Sequence, residues 1–298
     1  MDRKNFLKLL ALFPLSGAAM KLNELHKLTE SLGSTEQMPA LFVGHGNPMN
    51  AITENEFVTG WKTVAKNLPK PKAILCISAH WETKGTFVTA MKLPETIHDF
   101  GGFPKELFQA QYPAPGSPEL AGETKSMVKK TNIGLDEKWG LDHGTWSILK
   151  PMFSNADIPV IQLSLDYSQP AQYHYDLAKE LAALRKKGVL IIGSGNMVHN
   201  LGMVKVNSAA DFDKEFGFDW ALEMNAIFKS KITNGDHAAL INYETLSKSA
   251  KLAIPTREHY LPLLYTLALQ EKNEQATFFN DKALAGSLTM TSVLITKN

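Results

Sequence analysis

The stretch "AILCISAHWE", residues 73–82, decides the class of fold. Residues 73–78 are apolar or small and carry no charge, which is typical of a strand buried on both faces of a sheet. Directly after this run come Ala79 and a histidine, His80. A lone histidine in that position is compatible with an ordinary turn, so its meaning depends on whether the pattern occurs again.

Four other segments are similarly apolar and rich in β-branched residues: "ALFV" (40–43), "PVIQLSL" (159–165), "GVLIIGSG" (188–195) and "SVLIT" (292–296). Between the strands, the sequence favours helices over residues 54–67, 117–131, 145–153, 170–187, 211–231 and 259–270. This alternation predicts an α/β fold of three layers, with helices on both faces of a sheet.

The composition excludes several classes of function. The chain has 298 residues and a formal net charge of +1. It therefore lacks the excess of basic residues that is typical of proteins that bind nucleic acid or an anionic membrane surface. No apolar stretch is long enough for a membrane span. The single cysteine, Cys76, excludes an intrachain disulfide and a cysteine-rich zinc site.

The N-terminal segment differs from the rest of the chain. Residues 1–20, "MDRKNFLKLLALFPLSGAAM", combine a basic start, an apolar middle and small residues, which is the arrangement of an export signal. Arg3-Lys4 resembles a twin-arginine signal, whereas Lys8 within the apolar run suits an amphipathic helix packed on the domain. We therefore expect a leader and linker over 1–37 and one domain over 38–298, in a protein that is either cytoplasmic or exported to the periplasm.

Two more strands end as the first one does. His45 follows a strand in "ALFVGHGNPMN" (40–50), and His199 follows another in "VLIIGSGNMVHN" (189–200). Ligands of open α/β sheets bind beyond the carboxyl ends of the strands. Three histidines at such ends converge if their strands are neighbours, and this predicts a metal site. We expect Gly44 and Gly46 to leave room for a ligand to approach the His45 ring.

The remaining motifs carry weaker signals. His143 lies in "WGLDHGTW" (139–146) and His259 in "PTREHYLPLLY" (255–265), whereas His26, His174 and His237 fall in polar or helical surface contexts. His98, in "TIHDFGGFP" (96–104), suits either a surface loop or a substrate pocket. No dinucleotide cofactor is expected, because "GSGNMVHN" lacks the third glycine and the later acidic residue. Ser194 lies outside a G-x-S-x-G elbow.

Seven segments, in this order, carry a resemblance to a known family: "MPALFVGHGNPMN", "ISAHWET", "TIHDFGGFP", "YPAPGSPELA", "DHGTW", "GSGNMVHNL" and "REHYLPLLY". Together they resemble the class III (LigB-type) extradiol ring-cleaving dioxygenases, in the branch of the bacterial 4,5-DOPA enzymes. The resemblance implies one catalytic domain over 38–298 with a central mixed, mostly parallel sheet.

The resemblance also implies the roles of the histidines. His45, His80 and His259 would ligate one divalent metal, with His259 where many relatives have a glutamate. His199 would be a further metal ligand or the general base, and His143 a second acid/base group. Three neutral imidazoles leave the full charge on the metal, which suits a catecholate.

The implied reaction opens the ring of a catechol such as DOPA by 4,5-cleavage, with O₂ as the second substrate. Fe(II) is the expected metal because O₂ needs a redox partner, while Zn(II) is plausible as the bound ion. His199 would act as base and His143 as acid, and Asp142 either orients His143 or points away. Two alternatives remain from the sequence: a zinc-dependent hydrolase using the same site, and a non-catalytic binding protein of the Memo type.

Overall fold

The computed structural model describes residues 37–208 and 211–297, so the predicted leader falls almost entirely outside it. Its strands, in chain order, are β1 (Ala40–Gly44), β2 (Ala73–Ser78), β3 (Glu82–Thr83), β4 (Phe87–Thr89), β5 (Gly134–Asp136), β6 (Val160–Gln162), β7 (Leu165–Asp166), β8 (Val189–Gly195), β9 (Glu274–Phe279), β10 (Ala283–Leu284), β11 (Leu288–Thr289) and β12 (Ser292–Lys297).

Six of these strands form one sheet in the order β6-β2-β8-β1-β12-β9. The first four are parallel, and β12 alone runs antiparallel to both of its neighbours. The sheet is therefore mixed and mostly parallel, as predicted. In its register Gly44 lies opposite Gly195, and Ser78 opposite Ser194, so three strands end level with one another.

The helices are α1 (Glu56–Asn67), α2 (Lys105–Gln109), α3 (Pro118–Met127), α4 (His143–Met152), α5 (Ala171–Glu180), α6 (Ala182–Arg185), α7 (Asp219–Thr233), α8 (His237–Ile241), α9 (Ala250–Ala253) and α10 (Leu261–Ala268). Each of the six predicted segments contains a helix. The segment 170–187 is divided at Leu181, and 211–231 becomes helical only from Asp219. No helix in the described part of the chain has the length and apolarity to cross a bilayer.

Alternate residues of the sheet pack into two separate apolar clusters, one on each face. Phe42 of β1 belongs to the cluster that includes side chains of α5, α7 and α10. Leu41, its neighbour, belongs to the cluster that includes side chains of α1 and α4. Because successive strand residues point to opposite faces, this division shows that helices cover both sides. The three-layer prediction is confirmed.

The predicted strand over 159–165 is wrong in its second half. The chain leaves the main sheet after Gln162, and Leu165 pairs instead with Glu82 of β3. After the departure Ser164 is bonded to Phe87: its N–H donates to the Phe87 carbonyl at 2.9 Å, and its hydroxyl accepts from the backbone N–H of Phe87 at 2.8 Å. A small sheet therefore forms beyond the end of β2, close to His80.

Candidate metal centre

The carboxyl ends of β1, β8 and β2 lie side by side. The three strands that lead into His45, His199 and His80 are therefore neighbours, as the predicted metal site requires. Backbone bonding continues past the strands: the N–H of His45 donates to Gly195 at 3.1 Å, and that of Ala79 donates to Ser194 at 3.0 Å. These bonds fix where the histidines leave the sheet. The edge beyond these three strands is therefore where a ligand site forms.

His45, His80 and His259 come together at this edge. Their ring centroids are 5.0 Å apart for His45 and His80, 5.2 Å for His45 and His259, and 5.0 Å for His80 and His259. The Nε2 atoms of His45 and His80 are 3.2 Å apart. A metal about 2.1 Å from each would form an N–metal–N angle of about 100°, between the octahedral and tetrahedral values. The spacing of these two nitrogens fits a shared ion, and the ring of His259 lies beside both rings.

His259 reaches the centre from the loop that precedes α10. The backbone N–H of Asn196, just after β8, donates to the carbonyl of His259 at 2.9 Å. A Cβ at Gly195 would come within 2.1 Å of that carbonyl oxygen. Only glycine at the end of β8 therefore lets the two segments approach this closely.

His143 is the first residue of α4, whose position depends on Asp142. The Asp142 side chain accepts from the N–H of Thr145 at 3.0 Å and so caps the helix. It also accepts from Ser78 Oγ at 2.7 Å and from Gln162 Nε2 at 2.6 Å. Asp142 thus ties the helix to the ends of β2 and β6 and does not orient the His143 ring.

Asp99 orients that ring instead. Its Oδ1 accepts from the backbone N–H of His143 at 2.8 Å, and its Oδ2 accepts from Nδ1 of the ring at 2.9 Å. The same Oδ2 is 3.7 Å from Nδ1 of His80. Burial raises the pKa of Asp99, but the hydrogen bonds and charge of His143 outweigh it and the pKa is lowered. The sequence analysis did not predict this role of Asp99. The signal in the sequence was a carboxylate that follows His98 and precedes two glycines.

Hydrogen bonds also set the tautomers of the other rings. Ser194 Oγ donates to the Gly144 carbonyl at 2.5 Å and must therefore accept from Nδ1 of His45, 3.1 Å away. Glu258 accepts from Nδ1 of His259 at 3.0 Å. In both rings the unprotonated Nε2 is left for a metal. Ser194 and Glu258 are further site residues that the sequence did not reveal.

The candidate ligands are neutral. Burial, reinforced by neighbouring histidines, holds the pKa values of His45 and His259 well below their usual range. Burial and the charge of His143 lower the pKa of His80 to about 3. Neutral imidazoles on a buried edge form a suitable donor set for a divalent transition metal. The residues therefore fit the metal that the sequence predicts.

His199 and His143 lie beside these three rings. The ring of His199 stacks on His259, with centroids 3.5 Å apart and planes 7° from parallel. Burial lowers the pKa of His199 to about 4 against the opposing charge of Glu258. The ligand nitrogens of His45, His80 and His143 lie within 4.8 Å of one another, and the ligand atoms of His199, Glu258 and His259 form a second group within the same distance. His143 therefore lies as close to His45 and His80 as a third ligand would, whereas His259 is grouped with His199 and Glu258.

One sequence prediction about the site is wrong. A Cβ at Gly44 would come within 2.6 Å of the Met290 carbonyl oxygen, and one at Gly46 within 2.4 Å of the Met290 sulfur. Gly46 also has a φ of +57°, which favours glycine. The two glycines therefore make room for Met290 and not for a ligand.

Three histidines outside the centre have partners in the described part of the chain, and His26 lies outside the described residues. His174 is fully buried against the Tyr265 hydroxyl, 3.0 Å from its Nδ1, so its prediction as a surface residue is wrong. His237 is partly buried, and its Nδ1 is 2.9 Å from the Tyr175 hydroxyl. His98 donates through Nε2 to the Ala110 carbonyl at 2.9 Å, which fixes the loop that carries Asp99.

The family model of the catalytic LigB subunit of aromatic ring-opening dioxygenases matches residues 38–289. A 4,5-DOPA dioxygenase extradiol of Escherichia coli K12 is 44% identical over 266 residues, covering 88% of this chain and 96% of the relative. One of Beta vulgaris is 36% identical, with coverages of 89% and 99%. The crystal structure of an uncharacterized protein of Escherichia coli K12 matches with a TM-score of 0.75 and 40% identity, covering 87% of this chain and all of that one.

These similarities, together with the histidines at the strand ends, define an aromatic ring-opening dioxygenase. The chain belongs to the LigB family. It is an extradiol ring-cleaving enzyme of the type to which its curated relatives belong. Of the three functions that the sequence left open, the dioxygenase is the one supported.

Proposed function

We propose that this enzyme opens the ring of a catechol such as DOPA by 4,5-cleavage, with O₂ as co-substrate and one divalent metal at the histidine centre. The observation that carries the proposal is the pair of Nε2 atoms of His45 and His80, 3.2 Å apart, with His259 beside both rings. The names of the curated relatives support the substrate and the position of cleavage.

His45, His80 and His259 would hold the metal through Nε2. Fe(II) at this position would supply the redox chemistry that makes ground-state O₂ reactive toward the ring. A metal held there would bind both catechol oxygens, and this would fix the ring relative to the histidines beside it. Since the ligands are neutral, the negative charge of the catecholate is favoured there.

His199 and His143 would move the protons. His199, a neutral ring stacked on His259, is placed to remove a proton from a catechol hydroxyl as general base. In the absence of substrate it would lie near enough to the metal to count as a ligand, and it would be displaced when the catechol binds. His143, whose Nδ1 donates to Asp99, would first take up a proton on Nε2 and become an imidazolium that the Asp99 carboxylate stabilises. It would then return that proton when the ring opens.

The direct test is anaerobic loading with Fe(II), followed by oxygen uptake with a panel of catechols. We expect one O₂ consumed per ring opened and no turnover with zinc alone. Turnover with zinc in the absence of O₂ would contradict the dioxygenase and favour a hydrolase.

The role of His199 has its own prediction. His199→Ala should retain the metal and lose turnover by about 100-fold or more, as expected for removal of a general base. Part of the rate should return at high pH, where the catechol ionises without assistance. Metal analysis and a pH–rate profile measure this. Loss of metal without recovery in alkali would make His199 a permanent ligand.

A further inference from the structure

A cavity of about 630 Å³ beside the candidate metal centre is lined by charged side chains of both signs. Glu82, Glu244 and Glu258 are acidic, and Lys251 and Arg257 are basic. Glu258 belongs to both places, because its carboxylate also accepts from Nδ1 of the ligand His259. The cavity and the centre therefore share a wall.

The cavity wall continues two of the segments that carry histidines. Glu82, on β3, lies two residues after His80, and Arg257 lies two residues before His259. Arg257 donates to the carbonyl of Tyr167, which directly follows β7, the partner strand of β3. Two residues of extended chain span at most about 7 Å. Both charges therefore lie within the length of one small molecule from the metal ligands.

The two charges do not neutralise each other by direct contact. Within residues 37–208 and 211–297, neither Glu82 nor Arg257 forms an ion pair with an oppositely charged side chain. Arg257 and Glu82 nevertheless lie close enough to attract each other electrostatically. Two opposite charges on one cavity wall, near each other but not in contact, are complementary to a molecule that carries both an ammonium and a carboxylate. The planar guanidinium also matches the geometry of a carboxylate.

We propose that this cavity binds the α-amino acid chain of a catecholic substrate, with Arg257 binding its carboxylate and Glu82 its ammonium group. The proposal rests on the proposed function, which places the catechol ring at the metal. A chain with only one of the two charges makes only one of the two contacts, so it binds more weakly than a chain that carries both.

Four catechols separate the two contacts: DOPA, dopamine (ammonium only), dihydrocaffeate (carboxylate only) and methylcatechol (neither). Their affinities for the zinc-loaded protein are measured by calorimetry, and their turnover by oxygen uptake with iron. Arg257→Met should lower the affinity for DOPA and for dihydrocaffeate by about 10-fold or more. It should lower the affinity for dopamine and for methylcatechol by less than about 2-fold. Glu82→Gln should lower the affinity for DOPA and for dopamine, and it should leave the affinities for dihydrocaffeate and methylcatechol unchanged. Arg257→Lys should restore part of the affinity.

Lys248→Met and Glu137→Gln, which remove exposed charges outside the cavity, are matched controls and should leave all four affinities unchanged. Equal weakening of all four catechols, or of none, by both cavity variants would overturn the proposal. The proposed function would survive that result if methylcatechol were still opened. If no catechol bound the metal-loaded protein, both proposals would fail.

Discussion

At the residue scale, His45 and His259 each present the same nitrogen to the centre. Nδ1 of His45 donates to Ser194 and Nδ1 of His259 to Glu258, so Nε2 is free in both rings. A metal binds only the unprotonated nitrogen of an imidazole. The rings are thus oriented and in the correct tautomer before a metal binds, which reduces the rearrangement that binding requires.

The structure makes His143 and His259 competing candidates for the third ligand, and two variants distinguish them. We expect His259→Ala to weaken metal binding by about 100-fold or more, because a ligand itself is lost. His143→Ala should keep the metal and lose turnover, because Asp99 positions this ring for proton transfer. Metal content after gel filtration measures both. The reverse pattern would place His143 in the ligand set.

Asp99 offers a second prediction at this scale. Asp99→Asn keeps the shape but weakens the hold on Nδ1 of His143, so kcat should fall by about 10- to 100-fold. KM should change little, and Asp99→Glu should recover part of the rate. Asp157→Asn, at an exposed carboxylate paired with Lys70, is the control and should leave kcat unchanged. An unaltered kcat and pH profile in Asp99→Asn would refute the positioning role.

The local sequence identified the five histidines of the site but not the residues that orient them. Each histidine lies within four residues of the end of a strand or the start of a helix, which is visible in a short window. Asp99 acts on a ring 44 residues away, and Ser194 on one 149 residues away. Such contacts depend on how distant segments meet in the fold, so a local pattern such as Asp99 beside His98 marks a candidate but does not show which ring it orients.

At the element scale, α4 is fixed by its first turn. Asp142 caps the helix and also accepts from buried Ser78 and Gln162. The N-terminal end of the helix is therefore bonded directly to the strands that it covers. Movement of this helix would displace His143 with it.

Asp142→Ala should lower the free energy of unfolding by about 3 kcal/mol, from the lost cap and two buried donors without an acceptor. Asp236→Ala, the control, removes the cap of α8, where Asp236 accepts from Ala239 at 3.2 Å near the surface. It should cost about 1 kcal/mol. Urea unfolding measures both, and equal losses would contradict the anchoring role.

The elements predicted best were those with a continuous apolar run. β9, "EQATFF", escaped prediction because polar residues interrupt its run and it lies at the sheet edge, with β12 as its only partner in the main sheet. The break at Leu181 also gave no signal, since the apolar spacing continues through it. The departure of the chain near Ser164 gave no signal either, since its hydrogen-bond partner there, Phe87, is 77 residues away.

At the scale of the whole molecule, the buried His174 makes stability depend on pH. Burial lowers its pKa to about 4, whereas the unfolded chain titrates near 6.5. Above pH 6.5 both states are neutral. Between pH 6.5 and pH 4 the imidazole is protonated in the unfolded state but remains neutral in the folded state. The free energy of unfolding therefore falls by up to about 3 kcal/mol as the pH is lowered through this range.

His174→Gln removes this titration while keeping a polar group near Tyr265. The difference in unfolding free energy between the native protein and this variant should shrink by about 2 to 3 kcal/mol between pH 7.5 and pH 4.5. Denaturant unfolding of both proteins at each pH measures it, and other titrating groups cancel in the difference. A difference that stays constant with pH would show that His174 does not titrate as described.

The position of β1 also affects how the polypeptide reaches this state during synthesis. Its neighbours are β8, made of residues 189–195, and β12, made of residues 292–297. A growing polypeptide therefore carries an apolar strand with both edges open until most of the sheet has been translated. Open apolar edges favour association with other chains. A chaperone at the ribosome that covers the strand leading into His45 would therefore protect the nascent chain until its partners are made.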